Sequence, residues 1–246
     1  MSFGEIPLAG GVANAGLVVR AGDTVRRPVG PQTTAVEALL RHLERAGFDG
    51  APRHLGYDER GREVLTYVHG EVAVETEPPD WVTTDEALVS TLRLMRRLHD
   101  ATLDFVPPPD AVWAWPPPEH RRGDVIGHND ACRENVVFRG TTAVAFVDFD
   151  FAGPATRAWD VAGVVRHFVL GMPGDVQRRY ELVLATYPVE DLKQAVLDRL
   201  EWGLAMVTAR AAAGEAGFRQ QVANGVEARN HARRAVVRAL REPSPP

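Results

Sequence analysis

The sequence has few of the features that mark exported, membrane-spanning or zinc-dependent proteins. Its 246 residues include one cysteine, Cys132, which excludes an intramolecular disulfide and suits a reducing cytoplasm. No apolar run approaches the ~20 residues that span a bilayer, and the N-terminus lacks the basic and apolar regions of a signal peptide. Neither a G-x-S-x-G elbow nor zinc-ligand spacing is present, which argues against a hydrolase. We therefore expect a cytoplasmic protein with no membrane partner.

The composition and charge favour a folded enzyme over a nucleic-acid-binding protein. Apolar residues make up 45% of the chain and charged residues 25%, which is enough apolar material for a large core. The net charge of −5 argues against non-specific binding to nucleic acid. The basic residues near the C-terminus complement the dipole of a terminal helix, and they are His231, Arg233, Arg234, Arg238 and Arg241. We expect no nucleic-acid partner.

Three polar residues in the middle of the chain have the spacing of a phosphoryl-transfer site. Asp130 and Asn135 lie in an H-x-D-x-x-x-x-N loop, and Asp148 follows a β-prone run about a dozen residues later. Phosphoryl transfer depends on positioning and on neutralising phosphate charge, so a carboxylate must orient the attacking hydroxyl. Mg²⁺ prefers hard oxygen ligands, which an amide and a second carboxylate supply. The pattern predicts Asp130 as catalytic base, with Asn135 and Asp148 as metal ligands.

A predicted hairpin would bring these metal ligands together. The runs 136–138 and 143–149 are β-prone, and residues 139–142 between them give a turn signal. Asn135 at the start of the first strand and Asp148 at the end of the second would then lie at the same end of an antiparallel pair. The alternative is that Asp130 and Asn135 are ordinary turn formers and Asp148 is a strand-end cap.

The N-terminal third reads as a small mixed lobe with a possible phosphate-binding cation. Strands are predicted over 17–20 and 24–28, so Arg26 or Arg27 could reach phosphates, and a glycine-rich run over 10–16 could cover them or mark a simple turn. The apolar stripe over 33–46 predicts a helix that ends at a glycine. Within it, Glu37 either pairs with Arg26 or completes a capping box with Thr34.

A second hairpin is predicted over 55–57 and 63–68, followed by a mostly helical remainder that begins with a capping box at Thr83 and Glu86. The exit of its second strand is expected to be a hinge, where backbone groups of Thr66, Tyr67 and Val68 would bind the adenine edge. The alternative is a simple edge strand. This reading divides the chain into a nucleotide-binding lobe over 1–70 and a catalytic lobe over 71–246.

The sequence resembles the aminoglycoside phosphotransferase and choline-kinase-like family. The resemblance is strongest over 128–160, and the runs 24–28, 63–68 and 146–150 make it most similar to the small trifolitoxin-immunity-like phosphotransferases within that family. It implies an α+β, two-lobed protein-kinase-like fold, with a small β-rich N-terminal lobe and a larger, mostly helical C-terminal lobe.

The resemblance also implies roles for individual residues and a pair of cofactors. Asp130 resembles the catalytic base, Asn135 and Asp148 resemble the Mg²⁺ ligands, and Arg26 stands where a lysine usually contacts the phosphates. His128 and Asp160 would support the catalytic loop, although Asp160 could instead cap the following helix. The implied cofactors are ATP or GTP and Mg²⁺.

Two functions remain open at this point. The first is transfer of a phosphoryl group to a hydroxyl of a small molecule, an antibiotic or a metabolite, by a monomer or homodimer. An aminoglycoside acceptor would need acidic groups, and the candidates, more simply read as solvent-facing, are Glu181, Glu190, Asp191, Asp198, Glu201, Glu215 and Glu227. The second is a degenerate kinase fold that sequesters a peptide or small molecule, because the phosphate-binding lysine is replaced and no acid accompanies Gly153-Pro154. Only eleven residues separate Asp148 from Asp160, too few for a protein-kinase activation segment.

Overall fold

A computed structural model describes residues 4–8, 16–74, 77–123 and 125–241. The predicted glycine-rich phosphate cover falls on residues 10–15 and so lies outside the described residues, except for Gly16. None of the helices in the described part of the chain combines the length and apolar content that crossing a membrane requires.

The N-terminal region is a five-stranded antiparallel sheet with one helix against it. The strands lie in the order β1-β2-β3-β5-β4. Their bounds are β1 Ile6–Pro7, β2 Val19–Ala21, β3 Thr24–Arg27, β4 His54–Tyr57 and β5 Glu63–Thr66. Helix α1, Thr33–Arg45, buries the predicted apolar stripe that includes Val36, Leu39 and Leu43. The strands predicted in this region and the first helix are therefore confirmed to within a few residues.

Helix starts differ from the two predicted capping boxes. Helix α1 already begins at Thr33, so Thr34 cannot cap it, and the Thr33 hydroxyl instead accepts a hydrogen bond from the N–H of Gly30 at 2.8 Å. Helix α2, Asp85–Ala101, is capped by Thr84, whose hydroxyl accepts from the Ala87 N–H at 3.1 Å. The cap is thus one residue later than predicted, because either of two adjacent threonines can supply the hydroxyl.

The larger C-terminal region is mostly helical and carries two short antiparallel strand pairs. Strand β6, Val125–Gly127, pairs with β9, Gly153–Ala155, and β7, Val136–Arg139, pairs with β8, Thr142–Phe146. The helices that follow are α3 Arg157–Val164, a π-helical turn Val165–Val169, α4 Val176–Thr186, α5 Leu192–Ala212, α6 Ala216–Ala223 and α7 Val226–Ala239. A small antiparallel sheet followed by a larger helical region is the α+β, kinase-like architecture that the sequence predicts, and it is confirmed.

The two regions share one buried core. Phe138 of β7 contacts Trp81 and Phe168, and its backbone exchanges two hydrogen bonds with Glu71 just beyond the N-terminal sheet. Burying an aromatic side chain contributes roughly 1.5–3 kcal/mol to folding stability, so this contact holds the chain between the two regions against the β7–β8 pair. The division at residue 70 itself stays a prediction.

Candidate active site

The β7–β8 hairpin brings the predicted metal ligands together. Val136 lies opposite Phe146, and the N–H of Val147 donates to the carbonyl of Asn135 at 2.9 Å. Asn135 and Asp148 therefore lie at the same end of the hairpin. Strand β8 ends at Phe146, earlier than predicted, because Asp148 adopts a left-handed backbone conformation with φ 61°. Such backbone in a non-glycine residue is uncommon and concentrates at functional sites.

Asp130 and Asn135 are joined directly. The Asn135 amide nitrogen donates to the Asp130 carboxylate at 2.9 Å and to the Asp130 carbonyl at 3.0 Å. The amide oxygen of Asn135 is then the atom left to face a cation. Burial raises the pKa of Asp130 above its ordinary value, an effect that the nearby charge of Arg199 opposes. A raised pKa makes the carboxylate a stronger proton acceptor.

Asp160 holds the start of the catalytic loop through its two carboxylate oxygens. One accepts from the His128 N–H at 2.8 Å and the other from the Asn129 N–H at 2.8 Å, while His99 contacts the first at 3.0 Å. Burial raises the pKa of Asp160, but the hydrogen bond and charge of His99 outweigh it, so the net pKa is lowered. Thr156, not Asp160, caps α3, so the alternative that Asp160 is an N-cap is wrong.

Glycine at position 127 allows that close approach. A Cβ there would lie 2.9 Å from the side-chain oxygen of Asn129 and 3.0 Å from the Asp160 carboxylate. His128 completes the brace, because its Nε2 lies 2.9 Å from the Val147 carbonyl and its Nδ1 lies 3.3 Å from the Asp130 N–H. This network assigns the proton to Nε2. His128 therefore links the catalytic loop to the strand that leads to the metal ligand.

The cation of the site is Arg27 rather than Arg26, which corrects the sequence-based assignment. Arg26 turns away and contacts Thr24 and Asp58. Arg27 is 6% exposed, lies 3.2 Å from Asp148 and also pairs with Asp150. Successive side chains of a strand point to opposite faces, so only one of the two adjacent arginines can face the site. The partly buried Val25, two residues before Arg27, was the available signal for the correct face.

Glu37 pairs with neither Arg26 nor the helix N-terminus, so both predictions for it are wrong. Its carboxylate accepts from Arg41 at 2.9 Å and from the hydroxyl of Tyr57 on β4 at 2.7 Å. The acidic partner of Arg27 in the sheet is Glu63 on β5, at 3.4 Å and only 2% exposed. Sequence reasoning missed this pair because β3 and β5 become neighbours only in the folded sheet.

Glu63 makes stability depend on pH in a testable way. Burial raises its pKa from 4.5 to about 7, although Arg27 favours the charged form. Its stabilising contribution is therefore complete below about pH 4.5 and is lost as the pH rises through about 7. Between about pH 5 and pH 8, we expect the free energy of unfolding to fall less in Glu63→Gln than in the parent, by at most on the order of 3 kcal/mol. Urea unfolding of both proteins at the two pH values measures the difference.

Glu37→Gln is the matched control for that experiment. Burial raises the pKa of Glu37, but the hydrogen bonds from Tyr57 and Arg41 outweigh it and lower the net pKa, so the stabilising contribution of Glu37 is present above its ordinary pKa and lost in acid. The two variants should therefore change the pH dependence in opposite directions. Parallel pH profiles for Glu63→Gln and the parent would contradict a buried, weakly ionised Glu63.

The predicted hinge residues lie at the end of β5 and just beyond it, but their backbone groups are not equally available. The N–H of Thr66 donates to Arg53 and that of Tyr67 donates to Asp23, at 2.9 and 2.8 Å. Within the described residues, the N–H of Val68 has no such acceptor. Of the three candidates, Val68 is therefore the one whose N–H can meet an adenine edge.

The oxygen atoms at the end of the hairpin suit Mg²⁺. The Asp148 side chain is 41% exposed, so a cation can reach it, and Asn135 beside it offers an amide oxygen. Across the described ranges, no three His, Cys, Asp or Glu side chains cluster as a complete protein-only metal site. That agrees with magnesium, which usually takes one or two protein ligands and fills its remaining positions with water and phosphate oxygens.

Two sequence comparisons cover this part of the chain. A model described as the phosphotransferase enzyme family matches residues 109–192, which include every residue of the catalytic loop and hairpin. Over 162 residues, the chain is 41% identical to the trifolitoxin immunity protein of Rhizobium leguminosarum bv. trifolii. The match covers 64% of this chain and 59% of that protein, so the chain spans about three fifths of its curated relative's length.

Solved structures share the fold at low sequence identity. The GDP complex of aminoglycoside 2'-phosphotransferase-IIIa superposes with a TM-score of 0.66 at 14% identity and 94% coverage of each chain. A choline/ethanolamine kinase family protein from Mesorhizobium loti gives 0.57 at 21%, covering 98% of this chain and 89% of that one. An aminoglycoside phosphotransferase of Streptomyces rimosus, solved with ADP and streptomycin, gives 0.55 at 16%, covering 81% and 91%.

The resemblance expected from the sequence is thereby confirmed. The chain has the kinase-like fold of the aminoglycoside phosphotransferases and choline-kinase-like proteins, matches the phosphotransferase enzyme family over its catalytic segment, and is a relative of the trifolitoxin immunity protein.

Proposed function

We propose that this protein transfers a phosphoryl group from ATP or GTP to a hydroxyl of a small molecule. The observation that carries this proposal is the convergence of Asp130, Asn135 and Asp148 at one end of the β7–β8 hairpin. Catalysis of phosphoryl transfer consists mainly of positioning and charge neutralisation, and these three groups supply both.

Each residue has a distinct task in this proposal. Asp130 orients the acceptor hydroxyl and takes its proton, and the hydrogen bond from Asn135 fixes its carboxylate. Asp148 and Asn135 hold Mg²⁺, which when bound neutralises charge on the phosphates. Arg27 is close enough to Asp148 to contact the same phosphates, and its planar head group suits bidentate binding. Asp160 and His128 keep the loop in place.

The relatives support a nucleotide and a small-molecule acceptor. Structural neighbours were solved with GDP or ADP, and two of them with kanamycin or streptomycin. We propose that Val68 lies at the hinge between a nucleotide-binding lobe over 1–70 and a catalytic lobe over 71–246. The fold and the bound nucleotides of the neighbours favour that assignment over a simple edge strand.

A second function is favoured by the name of the relative at 41% identity. That protein is described as an immunity protein, which is compatible with sequestering a toxic peptide or small molecule without turnover. In this chain Arg27 pairs with Asp148, the carboxylate that an enzyme would need for the metal, and with Asp150. A non-catalytic role would leave both ion pairs intact. The two functions differ in whether nucleotide and metal bind.

Calorimetric titration of ATP and GTP, with and without Mg²⁺, tests the proposed function. We expect Mg²⁺-dependent nucleotide binding in the parent, and a loss of at least tenfold in affinity in Asp148→Asn, because one metal ligand and its charge are removed. Removing one charged ligand in a partly buried site corresponds to a loss of roughly 1.5–3 kcal/mol in binding free energy.

Arg26→Gln is the matched control in the same titration. Its head group faces Asp58 and not Asp148, so nucleotide binding should be unchanged. A folded parent that binds neither nucleotide at millimolar concentration would reject the kinase function and leave the sequestering one.

A further inference from the structure

Three arginines gather near the start of the catalytic loop. They come from three different elements: Arg166 from the π-helical turn, Arg199 from α5 and Arg233 from α7. These elements are far apart in sequence and meet only in the folded C-terminal region. None of the three arginines was singled out as an acceptor-site residue by the sequence.

Two of these arginines have no anionic partner. Across the described residues, no ion pair or side-chain hydrogen bond is formed by Arg166 or Arg233. Arg166 extends along α5, where a Cβ at Gly203 would lie 2.9 Å from its Nη1. Glycine at that position leaves the space that the guanidinium occupies. A partly buried charge without an ion-pair partner is unfavourable, so these two guanidinium groups are available to an anionic ligand.

Arg199 is the most deeply buried arginine of this cluster. It is 3% exposed, donates to the Asn129 carbonyl and packs over the rings of Trp159 and Trp202 at 4.8 and 5.1 Å. Its Nε and Nη1 have no hydrogen-bond partner. Aromatic packing holds the guanidinium in place, and two donor groups remain unused.

The charges act on one another across the cluster. Burial and then the charge of Arg166 lower the pKa of Arg199 to about 10, although Asp130 and Asp160 oppose that shift. Arg233 lies beside the same part of α5, because its neighbours Asn230 and Arg234 contact Leu200 and Glu201 at 2.7 and 3.2 Å. Burial and Arg166 likewise lower the pKa of Arg233. His167 lies within the same field, since burial and then Arg166, Arg199 and Arg233 all lower its pKa. The arginines therefore repel each other in the unliganded protein, and an anion would relieve that repulsion.

The arginine cluster meets the catalytic loop at Asn129, next to Asp130, whereas Arg27 contacts Asp148 at the end of the β7–β8 hairpin. In-line transfer requires the acceptor to approach opposite the nucleotide. Since Arg27 is the cation proposed for the nucleotide phosphates, an anionic group bound by the arginine cluster would belong to the acceptor.

We propose that the phosphoryl acceptor carries a carboxylate or phosphate group, which Arg166 and Arg233 bind while its hydroxyl reaches Asp130. This inference rests on the proposed function. Guanidinium groups bind both anions with paired hydrogen bonds.

Four of the seven acidic residues that would suit a polycationic acceptor are engaged in ion pairs elsewhere. Asp191 and Asp198 pair with Arg121, Glu201 with Arg234 and Glu215 with Arg210. A cationic acceptor such as an aminoglycoside would instead meet like charge beside Asp130, which disfavours its binding.

The test compares hydroxylated probes that differ in charge. The probes are glucose, glucosamine, glucuronate, glucose 6-phosphate and inorganic phosphate. Each is titrated at constant ionic strength, and the rise in melting temperature with probe concentration gives its dissociation constant. We expect glucuronate or glucose 6-phosphate to stabilise the parent more than glucose or glucosamine. The double variant Arg166→Gln/Arg233→Gln should bind the anionic probes at least tenfold more weakly, whereas Arg238→Gln, exposed on the same helix, should not.

Every result of this probe comparison either supports or contradicts the proposed anion site. The comparison of glucuronate with glucose 6-phosphate identifies the anion, and running it with and without nucleotide separates this site from the nucleotide site. Equal stabilisation by all sugars, or anion binding that survives in the double variant, overturns the proposal. A double variant that melts well below the parent without any anion would make the arginines structural and overturn it too. Failure of nucleotide binding alone would affect only the proposed function.

Discussion

Asparagine in place of Asp130 should slow phosphoryl transfer by about 10²–10⁴-fold, the range that a general base contributes. The change is nearly isosteric, and the new amide oxygen can still accept from Asn135. It removes only the negative charge that takes the hydroxyl proton. The rate is measured as nucleoside diphosphate release, using slow transfer to water where no acceptor is present.

Two further measurements make that result specific. The affinity for the Mg²⁺–nucleotide complex should stay within a few-fold of the parent, since Asp130 is not assigned as a metal ligand. The melting temperature should not fall, because burial already raises the pKa of Asp130 and disfavours its charge. Transfer at the parental rate in Asp130→Asn would show that another group takes the proton.

Alanine in place of Asp160 should cost about 3–5 kcal/mol of folding free energy, the loss expected when one member of a buried charged network is removed. The N–H groups of His128 and Asn129 would lose their acceptor inside the core, and His99 would lose its partner. The free energy is measured by urea denaturation of the two proteins. Loss of the loop geometry should also reduce transfer.

Asp175→Ala serves as the matched control for Asp160. Asp175 is exposed and accepts one hydrogen bond, from the Arg178 N–H at the start of α4. An N-cap of this kind contributes about 1 kcal/mol. If Asp160→Ala were no more destabilising than Asp175→Ala, the carboxylate would not be the anchor of the catalytic loop.

The parts of the site that could be predicted are those encoded locally. Asp130, Asn135 and Asp148 lie within one loop and one hairpin, whose β-prone runs and turn signal fix their relative positions over a short stretch. The apolar period of α1 was equally visible, because a helix repeats its own pattern.

The remaining parts depend on contacts between distant segments. Arg27 meets Glu63 through sheet pairing, and the predicted cation was wrong by one residue because strand faces alternate. Arg166, Arg199 and Arg233 come together only when the π-helical turn, α5 and α7 pack. No residue spacing in the sequence predicts that packing.

The ion pairs of Arg27 have a thermodynamic consequence. Asp148 cannot give its charge fully to a metal while Arg27 holds it, and Arg27 cannot turn to a phosphate without leaving Asp148. A nucleotide that takes Arg27 would release the carboxylate for Mg²⁺, and Mg²⁺ would release Arg27 for the nucleotide. Because linkage is reciprocal, each ligand would then tighten the other by the same factor, and couplings of this kind amount to about 1–3 kcal/mol.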